Sequence, residues 1–121
     1  MADPAVHRIY HYPGCSTCRK ALAWMLERQC SFEAIDITTN PPSLQLLREA
    51  HDQLGGFGRL FNTSGQSYRA LGAASVKAMD TATALAALAA DGRLIKRPFL
   101  VLASGRILTG FRPQEWQELF G

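Results

Sequence analysis

Two cysteines three residues apart, in the run Pro13-Gly-Cys15-Ser-Thr-Cys18-Arg19-Lys20, are the side chains of this 121-residue sequence best suited to chemistry. The thiolate is the nucleophile and the metal ligand, so what matters is whether the surroundings favour it over the thiol. The run Arg8-Ile9-Tyr10-His11-Tyr12 reads as a strand, Pro13-Gly14 break it, and a helical pattern starts at Ser16. Cys15 therefore falls on a strand-to-helix turn. Unpaired backbone N–H groups and the positive end of the helix macrodipole meet there, and both stabilise a thiolate. Arg19 and Lys20 add positive charge one turn further on. Cys18 shares a helix face with Cys15 and is placed to close a disulfide with it. The plainer alternative is two small, partly buried residues that fall three apart; the strand, turn and helix around them favour a redox pair.

The other candidate groups are weaker. A zinc site needs four ligands and usually a second paired motif, and only Cys15, Cys18, Cys30, His7, His11 and His51 are on offer, so no metal is expected. Cys30 follows the helix at a polar break and reads as a bystander or a small core residue. His11 reads as an ordinary strand histidine, since alternation sends it and Tyr12 to opposite faces. A net charge of +3, scattered along the chain, gives no phosphate-binding stripe, and direct contact with nucleic acid is not expected. With 47% hydrophobic and 19% charged residues the chain has the composition of a soluble globule. No apolar run approaches the roughly 20 residues of a membrane span. The first residues show neither a basic start nor an apolar stretch, so the cytoplasm is the expected location. There a C-x-x-C pair is redox-active or metal-binding and not a structural staple.

The elements that must position the cysteines follow from periodicity. A strand over 7–12 leads into a helix from Ser16 to Arg28, capped by Ser16 or Thr17, with Ala21, Leu22, Met25 and Leu26 on one face. Phe32 to Ile37 alternates as a second strand, which makes a parallel βαβ unit. Ser43 caps a helix carrying Leu44, Leu47 and Ala50 that ends before Gly55-Gly56; Phe57, Leu60 and Phe61 are core contacts in the loop beyond. Ser67 to Leu71 reads as one helical turn. A further helix from Thr81 presents Leu85, Leu88 and Ala89, and Asp91-Gly92 stop it. Residues 43–92 are therefore expected to be a helical insert. Arg97–Ala103 and Arg106–Thr109, joined by Ser104-Gly105, read as an antiparallel hairpin, and Gln114 to Phe120 as a last helix with Trp116, Leu119 and Phe120 available to pack. The sum is one α/β domain over residues 1–121, a mixed four-stranded sheet with helices on both faces.

Four ordered stretches carry a resemblance: Tyr12-Pro13-x-Cys15-Ser-Thr-Cys18-x-Lys20, Phe61-Asn-Thr-Ser-Gly65 with Tyr68-Arg-x-Leu71-Gly72, Lys96-Arg-Pro98, and Gly110-Phe-Arg112. Together they resemble the arsenate reductase-related, ArsC-like family, and within it the Spx/MgsR-like branch with its C-x-x-C motif. The resemblance runs from about Ile9 to Leu119. It implies a thioredoxin-like fold with a helical insertion between an N-terminal βαβ unit and a C-terminal ββα unit. It implies further that Cys15 attacks as a thiolate, that Arg97 and Arg112 hold an anion through their forked donors, and that Pro98 is cis. Arg19 joins the anion-binding candidates by its charge beside Cys15.

Two departures bear on function. Ser64 stands where the glutaredoxin-coupled reductases have an arginine, which removes a contact worth about 1.5–3 kcal/mol unless Arg59 or Arg69 replaces it. Cys18, absent from those reductases, marks the Spx-type switch. The expectation is a thiol–disulfide redox protein in which Cys15 attacks and Cys18 resolves. It would carry no bound cofactor and take electrons from glutathione and glutaredoxin or from thioredoxin. Its partners would be a thiol redox protein or a small oxyanion. The alternative is a redox-sensing transcriptional regulator of the Spx type that binds the RNA polymerase α-subunit.

Overall fold

Strand β1 (His7–His11) lies inside the sheet and sends successive side chains into two separate cores, Ile9 to one face and Tyr10 to the other. The structure is a computed structural model that describes residues 6–120. β1 pairs in parallel with β2 (Phe32–Asp36), with His7 opposite Phe32 and His11 opposite Asp36. On its other side it pairs antiparallel with β3 (Phe99–Val101), Ile9 facing Leu100, and β3 pairs antiparallel with β4 (Ile107–Thr109). The strand order is β2-β1-β3-β4. Among the described residues the helical pieces are α1 (Ser16–Glu27), α2 (Leu44–Leu54), α3 (Gln66–Leu71), α4 (Ala73–Ala78), α5 (Thr81–Ala90), a 3-10 turn (Gly92–Leu94) and α6 (Pro113–Phe120). This is a thioredoxin-like α/β fold, with α2 to the 3-10 turn placed between β2 and β3.

One face of the sheet, through Ile9, Leu100 and Leu108, packs on Ala21 and Met25 of α1 and Trp116 of α6. Trp24 joins this layer edge-on to Phe111, Trp116 and Phe120, and half-buried Cys30 packs against it. The other face, through Tyr10, Phe99, Val101 and Ile107, packs on Leu47 and Ala50 of α2 and on Leu85 and Leu88 of α5, with Leu60 and Phe61 between them. Each fully buried Leu, Ile or Phe contributes roughly 1.5–3 kcal/mol over its exposed state. No described helix is long and apolar enough to cross a membrane.

Several local expectations change. The cap of α1 is Cys15 and not Ser16 or Thr17, because the backbone is still extended at Cys15 (φ −92°, ψ 117°) and the helix begins at the next residue. The buried stripe of α1 is Cys18, Ala21 and Met25; Leu22 is half-buried and Leu26 is 65% exposed. The hairpin turns through Ala103, Ser104 and Gly105, not through two residues. Leu102 and Arg106 still pair across it, and Gly105 takes φ +95°, which a side chain would resist. Helix α4, unforeseen in sequence, follows Gly72. Asp80 caps α5 by accepting from the Thr83 N–H at 2.7 Å.

Two contacts fix how the insert meets the sheet. Gln53 of α2 accepts from the Ile107 N–H at 2.8 Å and donates to the Gly105 carbonyl at 3.0 Å, so a helix side chain satisfies the open edge of β4. At Gly92 a Cβ would lie 1.8 Å from the Ile37 carbonyl oxygen. Only glycine permits that approach, and it seats the 3-10 turn against the residue that follows β2.

Candidate active site

Cys15 is built by its neighbours in sequence. Its N–H donates to the Tyr12 carbonyl at 2.9 Å, closing the turn after β1, and its sulfur accepts from the Cys18 backbone N–H at 3.4 Å. Partial burial pushes the Cys15 thiol up, but the Cys18 N–H and side chain, the Arg97 guanidinium and the Thr17 N–H outweigh it, and the net shift is downward. Cys18, fully buried, moves the other way. Burial, joined by the neighbouring Cys15 sulfur, pushes its thiol up to about 12. At neutral pH the pair is therefore an acidic, half-exposed thiol hydrogen-bonded to a protonated, buried one. Both are free thiols here.

A cleft of about 330 Å³ opens over Cys15, and its opposite wall is cationic: Lys96, Arg97 and Arg112 line it, with Gly110 and Phe111 between. Among the described residues no carboxylate lines the cleft, and none of the three cations forms an ion pair. Arg97 lies 5.0 Å from the centre of the Tyr12 ring, which holds it beside the cysteine turn. The Arg97–Pro98 peptide bond is cis. Arg112 is placed by the turn before it, where Gly110 adopts φ +72°, donates to the Pro98 carbonyl at 3.0 Å and accepts from the Trp116 indole N–H at 3.2 Å. Cys15, Arg97 and Arg112, 97 residues apart at the extremes, thus share one cleft.

Arg19 and Ser64 do not join them. The Arg19 guanidinium turns back to the Pro13 carbonyl at 3.2 Å and braces the cysteine turn from outside. Ser64 does not line the cleft; its backbone N–H donates to the Asn62 side-chain oxygen at 3.3 Å. Arg59 does not stand in for the missing arginine either. It is bound to Glu115 at 2.9 Å and held under the end of β4 by Thr109, whose hydroxyl donates to the Arg59 carbonyl at 2.5 Å. Arg69 lines no part of the cleft.

What sequence reading missed is Lys96 and Asn62. Both reach the cleft because residues 60–62 and 94–96 pair: Lys96 N–H donates to the Leu60 carbonyl and Asn62 N–H to the Leu94 carbonyl, each at 2.7 Å, around a bridge between Phe61 and Ile95. The available signal was three cations, Arg93, Lys96 and Arg97, within five residues before a proline.

A model of the ArsC family matches residues 10–119, from near the end of β1 to the last turn of α6. The crystal structure of a possible arsenate reductase from Streptococcus mutans superposes with a TM-score of 0.85 at 41% identity, covering 94% of this chain and 99% of that one. The arsenate reductase of Neisseria meningitidis serogroup A is 32% identical over 110 residues, 89% of this chain and 92% of its own. The global transcriptional regulator Spx of Streptococcus agalactiae serotype V is 28% identical over 104 residues, 85% of this chain and 74% of its own. Since the family match spans both rims of the cleft as well as the sheet between them, this chain belongs to the ArsC family.

Proposed function

We propose that the protein is a thiol–disulfide oxidoreductase for anionic substrates. The observation that carries this reading is the meeting of an acidic Cys15 with three cations, none in an ion pair among the described residues, in one cleft. The cations draw in the anion and orient it, and the Cys15 thiolate attacks. With a disulfide substrate, a bond forms from Cys15 to one sulfur and the other sulfur leaves as thiolate. Once Cys15 is bonded, its charge no longer holds up the Cys18 pKa, although burial still does. The Cys18 proton passes to the departing thiolate, and Cys18 sulfur then attacks Cys15 and releases the second thiol. Two electrons leave the pair, and a dithiol donor such as glutaredoxin, or thioredoxin, restores it. A tetrahedral oxyanion would sit in the same place, held by Lys96, Arg97 and Arg112 without the arginine that Ser64 replaces.

A regulator would use the same pair as a signal for a partner such as the RNA polymerase α-subunit. It has no need of free cations facing the thiol, which favours turnover. Alkylation rate against pH tests the proposal. Cys15 should reach half-maximal reactivity below the free-cysteine value of about 8.5, and Arg97→Ala should move that midpoint upward. A Cys15 that titrates like free cysteine would sink the oxidoreductase reading.

A further inference from the structure

The helical insert holds a separate cavity of about 270 Å³, which shares no lining residue with the cysteine cleft. Its origin is local. Helices α3 and α4 are six residues each, too short to be stable alone, and neither buries a residue fully. They dock through half-buried side chains: Tyr68 meets Phe61 edge-on at 6.1 Å, and Val76 and Met79 pack against the same core cluster. These four line the cavity together with Phe57 and the buried Ala84. Apolar surface facing a void has no contact partner there, so an apolar occupant would gain contacts that the empty cavity lacks. One charge stands at this wall. Exposed Lys77 lines the cavity without an ion pair, and among the described residues no carboxylate does. Asp80, the nearest acid in sequence, is engaged elsewhere, since it caps α5.

We infer that this cavity binds a small aromatic monocarboxylate. Its ring would lie among Phe57, Phe61 and Tyr68, which can meet it edge to face, and its carboxylate would pair with the Lys77 ammonium. A single cation matches a single negative charge. The hydroxyls of Thr63 and Tyr68 also line the cavity and can donate to the acid. The volume agrees: about 150 Å³ accommodates benzene, so this cavity takes one ring with a short side chain. The site goes beyond the redox reading and stands whether or not Cys15 turns over.

The test titrates the full chain, labelled with nitrogen-15, with 3-phenylpropionate and with its neutral analogue 3-phenylpropan-1-ol. Amide shifts should cluster at residues 57–63 and 68–84 with both probes, and the acid should bind about threefold more tightly. Lys77→Ala should bring that ratio near one, and Lys77→Arg should keep it. Val76→Phe, on half-buried α4, should fill the cavity and weaken both probes at least tenfold; Ala84→Leu does the same from α5 if the first variant fails to fold. No shift in this region with either probe, or a ratio indifferent to Lys77, would overturn the site. So would the same shifts appearing on raising the protein concentration alone, which would assign the cavity to a second copy of the chain.

Discussion

Every hydrogen bond that shapes the cysteine rim of the cleft spans at most six residues: Cys15 to Tyr12, Cys18 to Cys15, Arg19 to Pro13. The facing cationic rim is held by contacts 50 and 56 residues apart, from Arg59 to Thr109 and to Glu115, and by the backbone pairing that links Lys96 to Leu60. The first rim supplies the hydrogen bonds that make the thiol acidic, with Arg97 alone adding charge from across the cleft; the second sets how well an anion is held. Because they are built on different length scales, the two properties should separate under mutation. Damage to distant packing should weaken anion binding before it weakens the thiolate.

The most severe way to try to break that separation is Trp116→Ala. Trp116 is fully buried in the α1/α6 layer, and its indole holds the Gly110 turn that presents Arg112. The cavity and lost contacts should cost about 3–5 kcal/mol, or roughly 10–20 °C in Tm by calorimetry. In the protein that remains folded, sulfate should no longer protect Cys15 from alkylation, while the pH midpoint of alkylation should stay low. A midpoint that rises with the loss of protection would show that the rims are not independent.

Within the cysteine rim the two thiols carry opposite linkage. The lowered Cys15 pKa gives stability that is present above its ordinary value near 9 and lost as pH falls through the folded value. The raised Cys18 pKa gives stability that is present below about 9 and lost as pH climbs toward about 12. Cys18→Ala should therefore flatten the decline of unfolding free energy from about pH 9 upward, measured by urea titration. It should also move the Cys15 alkylation midpoint upward, since one donor to the thiolate is gone. An unchanged slope would mean that Cys18 is not held protonated by its burial.

The same difference in length scale explains what could be read from sequence. Strand, Pro-Gly turn, cysteine and helix are adjacent, so the position of Cys15 on a helix start was legible without a fold, and the apolar run around Ile9 and Tyr10 was legible as a strand. The cap was misassigned to Ser16 or Thr17 because composition favours hydroxyls there, whereas the backbone enters the helix one residue earlier. Lys96 and Asn62 stand in stretches that the sequence singles out, but their place in the cleft was not legible, since only the pairing of 60–62 with 94–96 brings them there. That the Arg19 guanidinium turns to the Pro13 carbonyl was not legible for a related reason. Charge near a cysteine can be read from spacing, but the direction of a long side chain on an exposed helix cannot.

The finest separation of the two rims comes from Glu115→Gln. Glu115 lies in the first turn of α6, three residues beyond Arg112, and its carboxylate ties Arg59 to that turn, with side chains 28% and 31% exposed. A pair so exposed is worth only about 0.5–1 kcal/mol, so the variant should fold with Tm within a few degrees of wild type. Glutamine keeps the shape and an acceptor oxygen but removes the charge that anchors Arg59, whose buried Nε has no hydrogen-bond partner among the described residues. The turn from Gly110 to Arg112 is then held by Pro98, Trp116 and the packing of Phe111 on Trp24, without the tie to Arg59, and Arg112 should be less firmly placed. Sulfate protection of Cys15 should weaken about two- to threefold, as expected for loss of a fraction of a kcal/mol from one positioned cation. The alkylation midpoint should not move, because nothing in the local turn around Cys15 has changed. If protection is also unchanged, Arg112 is positioned by its own turn, and the reach of the cationic rim ends at Trp116.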